Sequence, residues 1–249
     1  MREHVVLIPG LLCDEAVWAP QAAALADVAA IHVADHGRRD SLGAMAEAII
    51  ADAAPRFAVA GHSMGGRVAL EVVRRAGRRV TGLALLDTGY TPLPPGEAGR
   101  REAQGRHDLL ELARAEGMRA VGQRWLRIPM IHASRVADQP LIDGILDMFE
   151  RRTPEQFAAQ VHALLTRPDA TDVLESVTVP TLVLCGREDA WSQLAQHRAM
   201  ARMIAGSTLV SVPECGHMAT LERPEAVNRA LREWLLAIAR SHAPLARGG

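Results

Sequence analysis

The chain has 249 residues, is 49% hydrophobic and 23% charged, and carries a formal net charge of −1. Its apolar content can offset the entropy of ordering, which excludes an intrinsically disordered chain, and the near-neutral balance gives no electrostatic basis for binding nucleic acid or an anionic membrane. All 28 basic residues are arginine, so Schiff-base chemistry through a lysine is excluded.

In chain order, short apolar runs alternate with longer helical patterns. His4 to Ile8, Ala30 to Ala34, Phe57 to Ala60, Val80 to Leu86, Thr181 to Cys185 and Thr208 to Val212 read as strands. Most are continuously apolar, as parallel strands covered on both faces should be. Helices are expected over Ala16 to Leu25, Leu42 to Ala53, Met64 to Arg75 and Trp191 to Ile204, with a last one from Pro224 to about Arg240. The alternation predicts an α/β chain: an open, mostly parallel sheet of about six strands with helices on both faces. Residues 91–168 break the pattern, with helical stretches such as Gly105 to Glu116 and Pro154 to Leu165 but no strand. They read as a helical cap inserted after the fourth strand of a single domain spanning 1–249, over the edge where ligands bind. Ser241 to Gly249 is expected to fray.

The longest early apolar run, Val5 to Leu12, is too short to span a membrane, and no small-residue cleavage site follows it. Cys13, Cys185 and Cys215 are too few and too scattered for a disulfide framework. A reduced, cytoplasmic setting is expected, with a small-molecule substrate, no nucleic-acid or membrane partner, and a monomer or homodimer.

Gly61-His62-Ser63-Met64-Gly65 lies between an apolar strand and a helix. A serine on so tight a turn is held in a strained backbone, and side chains two residues away on either side would clash, which the two glycines avoid. The following helix aims its N-terminal amides at developing negative charge. A serine hydroxyl needs a base. His217, in the loop after the last strand, stands at the same edge of the sheet, and His62 is expected to pack or line the site. An acid must orient the imidazole. Asp189 after the fifth strand is the first choice, with Asp87 at the end of the fourth and Glu188 as alternatives. The backbone amides of Leu11, from the loop after the first strand, and Met64 are the expected oxyanion donors. Leu12, His62, Trp125, Met130 and Met218 are the expected pocket residues, with His132, Met148 and Phe149 as further cap candidates. No spacing suits a metal, no dinucleotide fingerprint occurs, and no cofactor is expected.

On these residues the sequence resembles the α/β-hydrolase fold superfamily. Gly61 to Gly65 resembles its nucleophile elbow, Val179 to Asp189 its acid-bearing strand, and Gly216-His217-Met218 with Glu222-Arg223-Pro224-Glu225 its histidine loop and final helix. Pro9-Gly10 stands where many relatives have His-Gly, the loop Asp35 to Ser41 is shortened, and the usual outer strand pair is absent. The resemblance implies a serine hydrolase that cleaves a small carboxylic ester through Ser63, Asp189 and His217. Alternatives on the same fold are C–C or enol-lactone hydrolysis and a menaquinone-pathway-like lyase. The lyase would need pocket arginines such as Arg124, Arg127 or Arg135. A ligand-binding protein with little turnover is the remaining alternative.

Overall fold

The computed structural model describes residues 2–242. Six strands, β1 (Glu3–Ile8), β2 (Ala29–Val33), β3 (Phe57–His62), β4 (Val80–Leu86), β5 (Thr181–Gly186) and β6 (Thr208–Val212), form one sheet. Their spatial order is β2-β1-β3-β4-β5-β6 and every pairing is parallel. β3, β4 and β5 are buried at every position, which is why their sequences are apolar throughout.

Helices α1 (Ala19–Leu25), α2 (Leu42–Asp52) and α3 (Met64–Ala76) follow the first three strands. Between β4 and β5 come α4 (Gly96–Glu116), α5 (Met118–Leu126), α6 (Gln139–Glu150), α7 (Pro154–Leu165) and α8 (Thr171–Ser176). Helix α9 (Leu194–Met203) joins β5 to β6, and α10 (Ala219–Glu222) and α11 (Pro224–His242) close the described chain. Among the described residues no helix is long and apolar enough to cross a membrane.

Strand side chains alternate between two cores. Leu7, Ala60 and Leu86 pack with Trp18, Leu25, Trp234 and Ile238 from α1 and α11 and their surroundings. Ile8, Val59 and Leu85 pack with Met45, Val68, Leu174 and Met200 from α2, α3, α8 and α9. Each fully buried side chain contributes about 1.5–3 kcal/mol, far more than an exposed ion pair. The chain runs from β1 out to β2 and returns to β3 on the other side of β1. The loops after β1 and β3 therefore meet at a topological switch point, the usual place for a ligand in such a sheet.

Local hydrogen bonding moves several boundaries. The helix expected from Trp191 starts at Leu194, because Asp189 Oδ1 accepts from the amides of Trp191 and Ser192 and holds that stretch in a turn. The helix expected from Ala16 begins as a 3₁₀ turn, Glu15–Trp18, capped by the Asp14 carboxylate, and becomes α-helical at Ala19. The stretch Gly105 to Glu116 is the second half of a helix of 21 residues. Ser241 is helical rather than frayed. The remainder of that expected tail, 243–249, lies outside the described residues.

Candidate active site

Ser63 sits between β3 and α3 with φ 54° and ψ −120°, a conformation that costs a non-glycine residue on the order of 1–3 kcal/mol. A side chain at Gly61 would run into the backbone of Gly65, and one at Gly65 into the Ile8 carbonyl. The turn therefore admits only glycine at both places. It is tied down by Ser63 N donating to Leu86 O at 2.9 Å and Thr88 Oγ1 donating to Ser63 O at 2.6 Å.

His217 stands in the loop after β6, and its Nε2 lies 2.8 Å from Ser63 Oγ. Its Nδ1 is 2.8 Å from Asp189 Oδ2. A carboxylate can only accept, so Nδ1 carries the proton and Nε2 is left to accept from the serine hydroxyl. Asp189 and His217 are both buried. Burial alone would push the Asp189 carboxyl up; the charge and hydrogen bond of His217 and the amides of Ser192 and Trp191 outweigh it and hold Asp189 below the ordinary carboxylate range. The two other candidate acids are engaged elsewhere. Asp87 accepts from Gly186 N and Ala219 N, and Glu188 from Cys215 N. The Cys215 thiol is buried, which pushes its ionisation far up and away from nucleophile chemistry.

The loop after β1 lies against the elbow. A Cβ on Gly10 would stand 3.1 Å from Ser63 Cβ. Among the described residues neither the Leu11 nor the Met64 amide donates to a protein acceptor, while the neighbouring Leu12 amide donates to Gln160 Oε1 at 2.8 Å and Cys13 N to Gly10 O at 3.1 Å. Buried His36 donates through Nε2 to Pro9 O at 2.9 Å and secures the loop from β2's side. Burial lowers the His36 pKa, which favours the neutral ring.

A cavity of about 850 Å³ opens over Ser63. Leu11 lines it, as do the pocket candidates His62, Trp125, Met130 and Met218; the candidate Leu12 does not. Its φ of 61° turns the side chain away, and it is fully buried in the core with α1. His62 also braces the site, donating through Nε2 to His217 O at 2.8 Å, and burial depresses its pKa to about 4, so the ring is neutral. Phe149 lines the cavity, whereas Met148 is core and His132 lies outside the lining. Trp191, which no motif singles out, faces His217 with ring centroids 5.0 Å apart.

The cavity's charge is the larger surprise. Arg67, Arg101, Arg106, Arg124 and Arg167 line it against Glu102 and Asp108. Arg127 and Arg135 are not in the lining, and Arg135 pairs with Asp138. Glu102 takes both Arg167 and Arg106, the first through two bonds of 2.8 Å. Arg67, one turn after Ser63 on α3, donates only to Thr91 O at 2.8 Å and, among the described residues, pairs with no carboxylate. Burial and the charge of Arg167 push its pKa down to about 9, which leaves it charged at neutral pH. No group of three or more His, Cys, Asp or Glu side chains among the described residues is placed to hold a metal ion.

Residues 5–230 match the alpha/beta hydrolase family. A 2-succinyl-6-hydroxy-2,4-cyclohexadiene-1-carboxylate synthase of Serratia proteamaculans is 29% identical over 185 residues, 73% of this chain and 68% of that protein. Among solved structures, a malate-bound thermophilic esterase from Thermogutta terrifontis superposes with a TM-score of 0.83 at 30% identity, covering 95% of this chain and 90% of that one. An enol-lactonase from Burkholderia xenovorans shares the fold, with a TM-score of 0.82 at 24% identity over 95% and 92% of the two chains. A synthase, an esterase and a lactonase thus resemble one frame, and the reaction has to be argued from the site.

Proposed function

The chain belongs to the alpha/beta hydrolase family, and on that premise we propose that it is a serine-dependent hydrolase cleaving a small carboxylic ester whose acid or alcohol part carries a carboxylate. The observation that supports this most directly is the unbroken run Ser63 Oγ, His217 Nε2, His217 Nδ1, Asp189 Oδ2, with 2.8 Å at each contact. In the mechanism, Ser63 Oγ attacks the ester carbonyl while its proton passes to His217 Nε2. The Leu11 and Met64 amides receive the oxyanion, each such donor being worth roughly 3–4 kcal/mol in the transition state. Collapse expels the alcohol, which takes the proton from His217. Water then gives a proton to His217 as its oxygen adds to the acyl carbon, and on collapse Ser63 Oγ takes that proton back from His217 as the acid product leaves. Asp189 keeps the imidazole in the required tautomer throughout. Residues 91–168 act as the cap, supplying the apolar wall at Trp125 and Met130 and, at Arg124 and Arg167, part of the positive charge.

A fluorophosphonate probe should label Ser63, and Ser63→Ala should lose both labelling and turnover of a panel of nitrophenyl esters; robust hydrolysis by Ser63→Ala would rule the reading out. Arg67, which among the described residues hydrogen-bonds to no carboxylate, favours a second reading on the same residues. Here Ser63, having passed its proton to His217, removes a proton from carbon in a carboxylate-bearing substrate; the freed electron pair forms a C=C bond as the leaving group on the adjacent carbon departs and takes the proton from His217. The class fits the carboxylate product named for the Serratia relative. The two readings part at the covalent intermediate. Rapid quenching should reveal the mass of an acyl group on Ser63 for hydrolysis and none for elimination.

A further inference from the structure

We propose that Glu222 is a positioning residue for His217, gripping the amides on both sides of it and fastening that loop to the segment after α5. The inference rests on the reading of Ser63 and His217 given above. Glu222 closes the single turn of α10 and is 1% exposed. Its Oε1 accepts from Gly216 N at 3.0 Å and Met218 N at 3.1 Å; its Oε2 accepts from Gly216 N at 3.1 Å and His132 N at 2.7 Å. The amide between them, His217 N, donates to Met130 O at 2.7 Å. Three successive amides of the histidine loop are thus held, two by one carboxylate and one by the chain that the same carboxylate holds at His132.

The approach of the two segments is as close as a backbone allows. A Cβ on Gly216 would stand 2.8 Å from Met130 O and 2.9 Å from His132 N. A buried carboxylate is costly to desolvate. Among the described residues Glu222 has no cationic partner, so amide donors alone compensate its charge. Residues 213–218 form no helix or strand of their own. Without the clamp, the loop that carries the two 2.8 Å contacts of the His217 ring would keep its ties at His217 O, Cys215 N and Ala219 N but lose those at Gly216 and Met218, and a displacement of about 1 Å can cost about a hundredfold in rate.

Glu222→Gln keeps the volume but turns an NH2 group towards donors that need an acceptor. It should lower kcat by about tenfold or more, with KM within about threefold, and slow fluorophosphonate labelling of Ser63 in proportion. In the proton NMR spectrum, the downfield resonance of the His217 Nδ1 proton shared with Asp189 should broaden or vanish. Two further variants cover the case in which Glu222→Gln does not fold. His132 has φ −65°, the value a proline ring holds, so His132→Pro removes the amide donor while keeping this backbone angle, and His132→Ala removes only the side chain. His132→Pro should be slower than His132→Ala, with the same change in the resonance. Wild-type kcat and an unchanged resonance in Glu222→Gln would overturn the proposal. So would a loss of activity that tracks only the fraction of titratable sites. If the wild-type enzyme itself resists labelling at Ser63, the serine reading fails instead, and the resonance still decides the role of Glu222.

Discussion

Asp189 reaches His217 at 2.8 Å from the end of β5, while Asp87, at the end of the adjacent strand β4, turns its carboxylate to Gly186 N at 2.8 Å and Ala219 N at 3.2 Å. Two buried acids at one edge of the sheet therefore do different work: one orients the imidazole and the other ties β5 and the start of α10 to β4. Asp189→Asn should lower kcat about 10³–10⁴-fold, because an amide supports the wrong tautomer. Asp87→Asn should cost less than about tenfold, since hydrogen bonds rather than proton orientation are lost. Steady-state kinetics on the two purified variants checks the order, and a reversed order would move the acid to β4.

The same pair predicts a pH effect on stability. Burial first, then the charge of Asp189, raises the Asp87 pKa well above the 3.8 of a free side chain. As pH climbs past 3.8 the unfolded chain releases this proton before the folded one does, so the folded state binds more protons and Asp87 subtracts stability up to its folded pKa. Asp189 has the opposite sign. Its stabilisation is present above 3.8 and is lost as pH falls through its lowered folded value. The melting temperature of Asp87→Asn relative to wild type should therefore improve as pH rises from about 4 towards 7. A gap that stays constant across a calorimetric pH series would contradict the raised pKa.

The parts of the site that were legible in sequence are those fixed by local sterics. Gly61 and Gly65 are demanded by the turn around Ser63, and Asp189 and His217 follow directly on strand ends whose apolar runs are unambiguous. What pattern could not supply comes from chain folded back from a distance. Arg167, Arg106 and Glu102 reach the cavity through the packing of α4 against α7, and no spacing in the sequence announces it. Leu12 was misplaced because its positive φ reverses the direction an extended strand end implies. Trp191 reads as helical by composition, yet Asp189 captures its amide and sets the ring over His217 instead. Glu222 stood in view within the histidine-loop motif, but only the folded loop reveals the amides it holds.

Arg67 supplies a test of substrate charge. Its guanidinium lines the cavity and, among the described residues, bonds to no carboxylate, and a hydrogen bond to a charged group is worth about 1.5–3 kcal/mol. Arg67→Gln should lower kcat/KM for an ester bearing a free carboxylate by about 10–100-fold. The neutral isostere should change by less than about threefold. Measuring both esters on both enzymes isolates the charge, and an equal loss on the two would assign Arg67 a structural role at Thr91.

Trp125 and Met130 both line the cavity, yet they are held differently. Trp125 meets Phe149, Phe157 and Trp191 edge-on, with centroids 5.3, 6.0 and 5.5 Å away. It is the centre of an aromatic cluster, and Trp191 passes its support on to His217. Trp125→Ala should cost about 3–5 kcal/mol of stability. It should also depress all esters alike, because Trp191 loses the surface it leans on. Met130 makes its contact with His217 through its backbone carbonyl, which alanine keeps. Met130→Ala should therefore enlarge the pocket without disturbing the imidazole, and shift preference towards longer acyl chains while the shortest ester is turned over almost as before. Melting temperatures taken alongside a C2 to C8 ester series separate the two behaviours. If Met130→Ala lowered every substrate equally with a falling melting point, its side chain would be core and the acyl pocket would have to lie along the Arg67 side of the cavity.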